Sequence, residues 1–332
     1  MKKGSNGTGL TYKFFDSLRL SLKSSAGVIL LMALFITLII HFITGDFYTK
    51  YSISAFFRQS TSIIIIGFAQ TIVLLTAGID LSVSSISGLS SMVFAILVAK
   101  VGINPFIAMV VCLATGTAMG MINGLFICGL NLTPFIVTLC TSYLFRGITY
   151  VSTKGMAVTG ITKSVMAIGN GTLFGIIPLA TIYMIIIAII LAGVLKFTKF
   201  GVRLYALGGN EKAAKIVGIH TKALKMSAYA ISGVLCSIAG LLMILRIGSS
   251  QLNIGGNWVM PSITAAVIGG TSMNGGSGGV GGTIIGGLFI STISFSISML
   301  GISSYWDDII IGAVVLAIIS IDAFYRMRRF NN

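Results

Sequence analysis

The sequence predicts an all-α, polytopic membrane protein of about ten crossing helices, with inverted repeats and short, discontinuous helices among them. Three observations carry this. Of 332 residues, 55% are apolar and 9% charged, against ~25% charged in an average soluble domain, so the chain cannot clothe its own surface in polar groups. Several runs approach or exceed the ~18 to 20 apolar residues that a helix needs to cross a ~30 Å hydrocarbon core. The basic residues, finally, gather between particular runs rather than inside them.

Taken in order, the apolar runs place crossings at 26–43, 60–78, 85–99, 105–128, 134–152, 173–196, 226–246, 259–269, 280–300 and 305–325, the third and eighth being short. The first follows a polar tail, is longer than the ~7 to 15-residue core of a signal peptide and lacks a small-x-small cleavage site after it, so it is expected to stay in the mature protein. The chain then divides into a basic N-terminal tail (1–25), a membrane domain (26–325) with a loop at about 197–225, and a C-terminal tail (326–332).

An even number of crossings puts both termini on one side. The tail contributes Lys2, Lys3, Lys13, Arg19 and Lys23, the loop Lys196, Lys199, Arg203, Lys212, Lys215, Lys222 and Lys225, and the C-terminus Arg326, Arg328 and Arg329; these are fifteen of the 22 basic residues. By the positive-inside rule that side is the cytoplasm. The net charge of +15 is therefore a topology signal, and no nucleic-acid partner is expected, because no basic motif with interleaved aromatics accompanies it.

Catalytic chemistry finds little to use. No Gly-Lys dipeptide occurs, so there is no phosphate loop with its lysine, and the glycine-rich run at 269–282 lacks that lysine too. His41 and His220 stand far apart, which excludes a two-histidine zinc helix. Cys112, Cys128, Cys140 and Cys236 fall inside expected spans without metal-ligand spacing and read as small core residues. The chain is expected to be no enzyme and to bind no cofactor, with any energy supplied from outside.

Three features bear on mechanism. Cys112, Gly116, Gly120, Gly124 and Cys128 recur every four residues, a stripe along which a neighbouring helix can approach closely; Asn123 stands beside it, and Gly278, Gly282 and Gly286 make a second stripe. Two crossings are interrupted, at GIDLSVSSISG (78–88) and GSSQLNIGGNW (248–258). Spans two to five and seven to ten would then be inverted repeats, as in many transporters. Asp80 in the first break is either a helix cap together with Ser82 or an intramembrane functional carboxylate.

The third feature lies in the loop, in LGGNEKAAKIVGI (207–219). Gly208 and Gly209 are expected to turn the chain, Asn210 to cap a helix, Glu211 to pair with Lys215, and Gly218 to end it in a left-handed conformation. Ala213, Ala214 and Val217 give it a small face. At ~1.5 Å per residue such a helix is about 10 Å long, suited to a groove on a partner protein. The spans hold almost no counter-charges, which favours neutral, hydroxyl-rich cargo over amino acids or ions, with Gln70, Asn123 and Asn131 as candidate polar groups on the path or in the structure.

Five blocks, in order, resemble the permease subunits of ribose, xylose and galactoside-type ABC importers: GFAQTIVLLTAGIDLSV (67–83), NGLFICGLNLTPFIVTL (123–139) leading to FRG (145–147), TKFGVRLYALGGNEKAAKIVGI (198–219), AVIGGTSMNGGSGG (266–279) and GISSYW (301–306). The resemblance implies a second permease copy or paralogue, a separate ATP-binding subunit carrying ATP and Mg, an extracytoplasmic sugar-binding protein, and a neutral sugar as cargo. It also implies that Asn210 to Gly218 is similar to the helix that couples such permeases to the ATPase.

Overall fold

The computed structural model describes residues 25–303, 305–307, 309–314, 316, 317 and 320. The N-terminal tail, the latter part of the tenth expected crossing and the C-terminal tail lie outside the described residues. Among the described residues up to Met299 the α-helices follow in order: α1 (Ser25–Thr44), α2 (Lys50–Leu75), α3 (Val83–Ala95), α4 (Pro105–Gly129), α5 (Pro134–Thr153), α6 (Lys163–Asn170), α7 (Leu179–Phe197), α8 (Lys199–Gly209), α9 (Glu211–Ile216), α10 (Thr221–Ile247), α11 (Val259–Ile268) and α12 (Val280–Met299). Among the described residues eight helices are long and apolar enough to cross a membrane, counting α3 with its π-helical continuation to Val101; α11 is a shorter apolar helix. The fold is thus all-α, with short and discontinuous helices.

Among the described residues, sheet is limited to two-residue strands: β1 (Val158–Thr159), β2 (Thr172–Leu173), β3 (Ile177–Pro178) and β4 (Ser249–Ser250). β1 pairs antiparallel with β4, tying the segment after α5 to the break after α10, and β2 pairs with β3.

The bundle is built around α2 and α10. The most apolar window of α2 is 89% buried, against 17% for α1, so α1 sits at the rim. α10 packs on α4, α2 and α3, and α12 on α11, α1 and α2. The α4 glycine stripe is what lets α10 so close. A Cβ on Gly116 would stand 2.5 Å from the Gly233 carbonyl oxygen, one on Gly120 2.1 Å from that of Tyr229, and one on Gly124 2.8 Å from the Met226 Cα. The second stripe works similarly at Gly282 and Gly286, whose missing side chains admit the carbonyls of Gly269 and Ala265 in and beside α11. Gly278 precedes α12, at φ +135°, and is not part of that helical stripe.

Three boundaries differ from expectation for identifiable reasons, and one cysteine differs in its burial. The crossing expected at 60–78 begins at Lys50, because Thr49 caps it by accepting from the Ser52 amide at 3.2 Å and its hydroxyls bond back along the helix, Ser60 to the Phe56 oxygen and Thr61 to the Phe57 oxygen, both at 2.8 Å. The crossing expected at 173–196 starts at Leu179, since Phe174 and Gly175, both at positive φ, fold the preceding residues into the β2–β3 hairpin. The 197–225 loop holds two helices, so Gly208 and Gly209 close α8 rather than turn the chain. Of the four cysteines, Cys112, Cys128 and Cys236 are buried, whereas Cys140 is exposed on α5.

Candidate functional site

α2 stops at Leu75, where Thr76 folds its hydroxyl back to the Val73 oxygen at 2.7 Å and Ala77 adopts φ +58°. This turn presents Ile79 and Asp80 to the middle of the protein. Asp80 is fully buried, as are Gln70, Ser82, Asn123 and Ser232. Oδ1 of Asp80 accepts from the Ser82 amide at 2.9 Å and from the Ser82 hydroxyl at 2.6 Å. Oδ2 accepts from the Ser232 hydroxyl on α10 at 2.9 Å, and Gln70 Nε2 donates to the Asp80 carbonyl at 2.7 Å.

The network runs on into two further helices. Asn123 Nδ2 on α4 donates to the Ser82 hydroxyl at 2.7 Å, and the Thr141 hydroxyl on α5 donates to Asn123 Oδ1 at 2.7 Å. Four helices and the break between α2 and α3 are thereby joined through neutral donors and a single carboxylate. Ser82 occupies the N-cap position of α3, but its hydroxyl is spent on Asp80 and accepts no helix amide. Buried polar groups left without partners cost ~1 to 3 kcal/mol each, so the network specifies how the break is held. Gln70, Asp80 and Asn123 come together here. Asn131 does not: it is exposed in the α4–α5 turn at φ +54°.

α8 and α9 make the second part. Thr198 caps α8 by accepting from the Gly201 amide at 3.3 Å, and Asn210 caps α9 by accepting from the Ala213 amide at 3.0 Å. Gly218 ends α9 at φ +82°, with the Ile219 amide returning to the Ala214 oxygen at 3.0 Å. Glu211 bonds Lys215 at 3.3 Å and Lys225 of α10 at 2.6 Å. The Lys225 hydrogen bond, helped by Lys215, holds the Glu211 carboxyl below its ordinary range.

Ala214 is only 3% exposed and faces the chain itself, so it does not belong to the outward face expected of it. The residues turned outward are Ala213, Ile216 and Val217, the last two 85% and 75% exposed. α8 in turn is seated on the membrane domain. A Cβ on Gly208 would come within 1.8 Å of the Leu75 oxygen and 2.3 Å of the Gly276 nitrogen, and Gly209 is open. The Tyr205 hydroxyl donates to the Gly278 oxygen at 2.9 Å, and burial pushes that phenol's pKa up. The end of α2, the 269–279 glycine loop and α8 thus meet at one point. The partners Tyr205, Ser232, Thr141 and Lys225 are joined over long sequence separations, and no local pattern marks them.

Among the described residues no three His, Cys, Asp or Glu side chains gather as a metal site would. Interrupted helices around a buried polar network, with a capped helix standing outside the spans, define a multi-pass transport permease. A metal-chelate-type ABC transporter solved in an inward-facing conformation has the same fold, with a TM-score of 0.50 at 14% identity over 89% of this chain and 99% of that one.

A family model described as "Branched-chain amino acid transport system / permease component" matches residues 52–319, and this chain belongs to that family of ABC transporter permeases. Among its relatives, the ribose import permease protein RbsC of Bacillus subtilis (strain 168) is 37% identical over 93% of this chain and 94% of the relative. The D-allose transport system permease protein AlsC of Escherichia coli (strain K12) is 36% identical over 83% and 84%. The fructose import permease protein FrcC of Rhizobium meliloti is 30% identical over 92% and 87%.

Proposed function

We propose that this chain is the membrane-spanning subunit of an ATP-driven importer for a neutral sugar. The observation that carries the reading is identity along nearly the whole chain to permeases of ribose, allose and fructose import. The site agrees with it, because the buried network offers hydroxyls and amides with one carboxylate and no cation, which is no receptor for a zwitterionic amino acid.

In this reading both termini lie in the cytoplasm, two permeases, or one and a paralogue, stand side by side, and each meets an ATP-binding subunit that holds ATP and Mg. An extracytoplasmic binding protein delivers the sugar. α9 docks on the ATPase through Ala213, Ile216 and Val217, and α8 passes the motion to the end of α2 and the 269–279 loop through the Gly208 contact. A ligand shifts an equilibrium only by differential affinity for its two states, and nucleotide reaches the spans along this rigid route.

The test is co-expression with the ATPase and binding protein, followed by native mass measurement in detergent. Two permeases with two ATPase domains are expected. A stable single permease that retains no ATPase would contradict the reading.

A further inference from the structure

α7 is about as long as the hydrocarbon layer is thick. Its 19 residues rise roughly 28 Å, against ~30 Å of hydrocarbon. One side of it carries Ile185, Ile186, Ile189 and Ile190, all exposed, which the chain leaves uncovered. Further along this side nothing lies within 4 Å of where a Cβ on Gly193 would stand, so the helix surface is notched there. Lys196 and Phe197 follow Ile185 and Ile186 by three turns and close the same side. Phe197 is 80% exposed, and the Lys196 ammonium lies 5.4 Å from its ring centroid.

Thr198 then interrupts the helix with an extended backbone, and α8 begins at Lys199. The start of α8 is pressed against the end of α7, since a Cβ on Gly201 would come within 2.1 Å of the Leu195 oxygen. Its far end is seated on α2 through Gly208. Between them Lys199 and Arg203, one turn apart, are exposed together with Val202, while Gly201, Leu204 and Leu207 are buried. Lys196, Lys199 and Arg203 thus follow one another around a corner at the end of a spanning helix. The only carboxylate within 197–225 is Glu211, and it is taken by Lys215 and Lys225. Among the described residues none of the three corner cations has an ion-pair partner.

We propose that this corner binds an anionic phospholipid of the cytoplasmic leaflet, with the phosphate on Lys196, Lys199 and Arg203 and an acyl chain along the isoleucine side of α7 past Gly193. A guanidinium can take two phosphate oxygens at once, and the ammonium groups act beside it as point charges. Phe197 and Val202 suit the level where headgroup gives way to hydrocarbon. Basic residues just cytoplasmic of a spanning helix are drawn to the negative surface of that leaflet. A soluble anion would make no use of the apolar side chains that lead up to the cations. The bound lipid fixes the α7–α8 corner at the interface and so sets where Gly208 presses on α2. This rests on the topology proposed above, with the loop in the cytoplasm.

The experiment uses the permease with its ATPase and binding protein. In detergent, native mass measurement follows lipid retained on titration with phosphatidylglycerol or phosphatidylcholine. The wild type is expected to prefer phosphatidylglycerol. Lys196→Gln with Lys199→Gln and Arg203→Gln should bind it roughly a hundredfold more weakly, at about fivefold for each charge removed. Lys212→Gln with Lys222→Gln, which removes charge elsewhere in the loop, should leave retention unchanged. In vesicles, wild-type ATP hydrolysis should be faster with phosphatidylglycerol present than in phosphatidylcholine alone, and the triple variant should not distinguish the two.

Equal retention of both lipids by the wild type, or wild-type retention by the triple variant, would overturn the proposal. So would displacement of the lipid by millimolar inorganic phosphate, which would mean a soluble anion, or loss of the ATPase from the triple variant, which would mean that the cations meet that subunit. Wild-type hydrolysis indifferent to the lipid would overturn the fastening of α8. Labelling of Lys199→Cys, in a Cys140→Ser background, by a membrane-impermeant maleimide on intact cells would put the loop outside and remove the topology, whereas retention in detergent reads the site by itself.

Discussion

Gly120→Ala adds a single methyl group at the point where α4 and α10 touch. The added Cβ would lie 2.1 Å from the Tyr229 oxygen, 2.9 Å from its carbonyl carbon and 3.2 Å from the Ala230 Cα, whereas ordinary contact begins at 3.4 Å. All three are backbone atoms of a long helix, so no side chain can swing aside. The helices must separate, and Gly116 and Gly124 in the same seam leave no slack on either side. Overpacking costs ~1 to 3 kcal/mol, and the upper end is expected here. Separation also draws Asn123 on α4 away from Ser82, to which it donates at 2.7 Å. The substitution should therefore lower the thermal unfolding midpoint of the purified permease and the amount recovered from membranes. Gly193→Ala on α7, where nothing lies within 4 Å, is the control; it should be neutral or slightly stabilising, as alanine is favoured over glycine in helices by ~0.5 to 1 kcal/mol. A Gly120→Ala protein that melts with the wild type would refute the close-contact account.

Other expectations follow from the same contacts. Asp80→Ala strips the acceptor from the Ser82 and Ser232 hydroxyls and the Ser82 amide, so the melting midpoint should fall by the equivalent of ~1 to 3 kcal/mol per group left unpaired; an unchanged midpoint would show that the network holds nothing. Glu211 has a folded pKa held below its ordinary value of about 4.5; its ion pairs therefore stabilise above that pH and are lost as pH falls through the depressed value. Wild type should outlast Glu211→Gln in thermal melts near neutral pH, with the gap closing in acid below about 4.5, and a gap that persists there would exclude the pairing as its cause. Ile216→Asp with Val217→Asp should abolish ATPase co-purification at normal permease levels, while Ala214→Trp, directed at a residue 3% exposed, should destabilise the permease itself. Wild-type ATPase recovery from the Ile216 and Val217 double variant would remove α9 as the docking helix.

Much of the fold is legible in the sequence because the membrane simplifies the problem. Long apolar runs must be helices there, and the run from Pro105 to Gly129 declares its start through Asn104, which caps it, and Pro105. The break after α2 is legible from its own chemistry, Thr76 to Ser82. What fails is local structure decided from elsewhere. Lys50 to Gln59 lies outside the expected crossing yet is helix, capped by Thr49 and tied down where Arg58 is bound to Asn170 of α6, 112 residues away, at 2.8 Å. α8 reads as charged loop because its buried side is only Gly201, Leu204 and Leu207. The outward face of α9 is misassigned at one residue: Ala214 is buried, and Ile216 stands outward with Ala213 and Val217. The partners that complete the Asp80 network, Ser232 and Thr141, are ordinary hydroxyls on helices already full of them.

The central claim is that this permease moves a neutral sugar inward only when an ATPase works on α9. Vesicles holding the permease, with the ATPase inside and the binding protein outside, should accumulate radiolabelled ribose, allose or fructose when ATP and Mg are enclosed. They should stop when ATP is replaced by a non-hydrolysable analogue or when the ATPase is left out. Accumulation driven by a proton or sodium gradient without the ATPase would contradict the account.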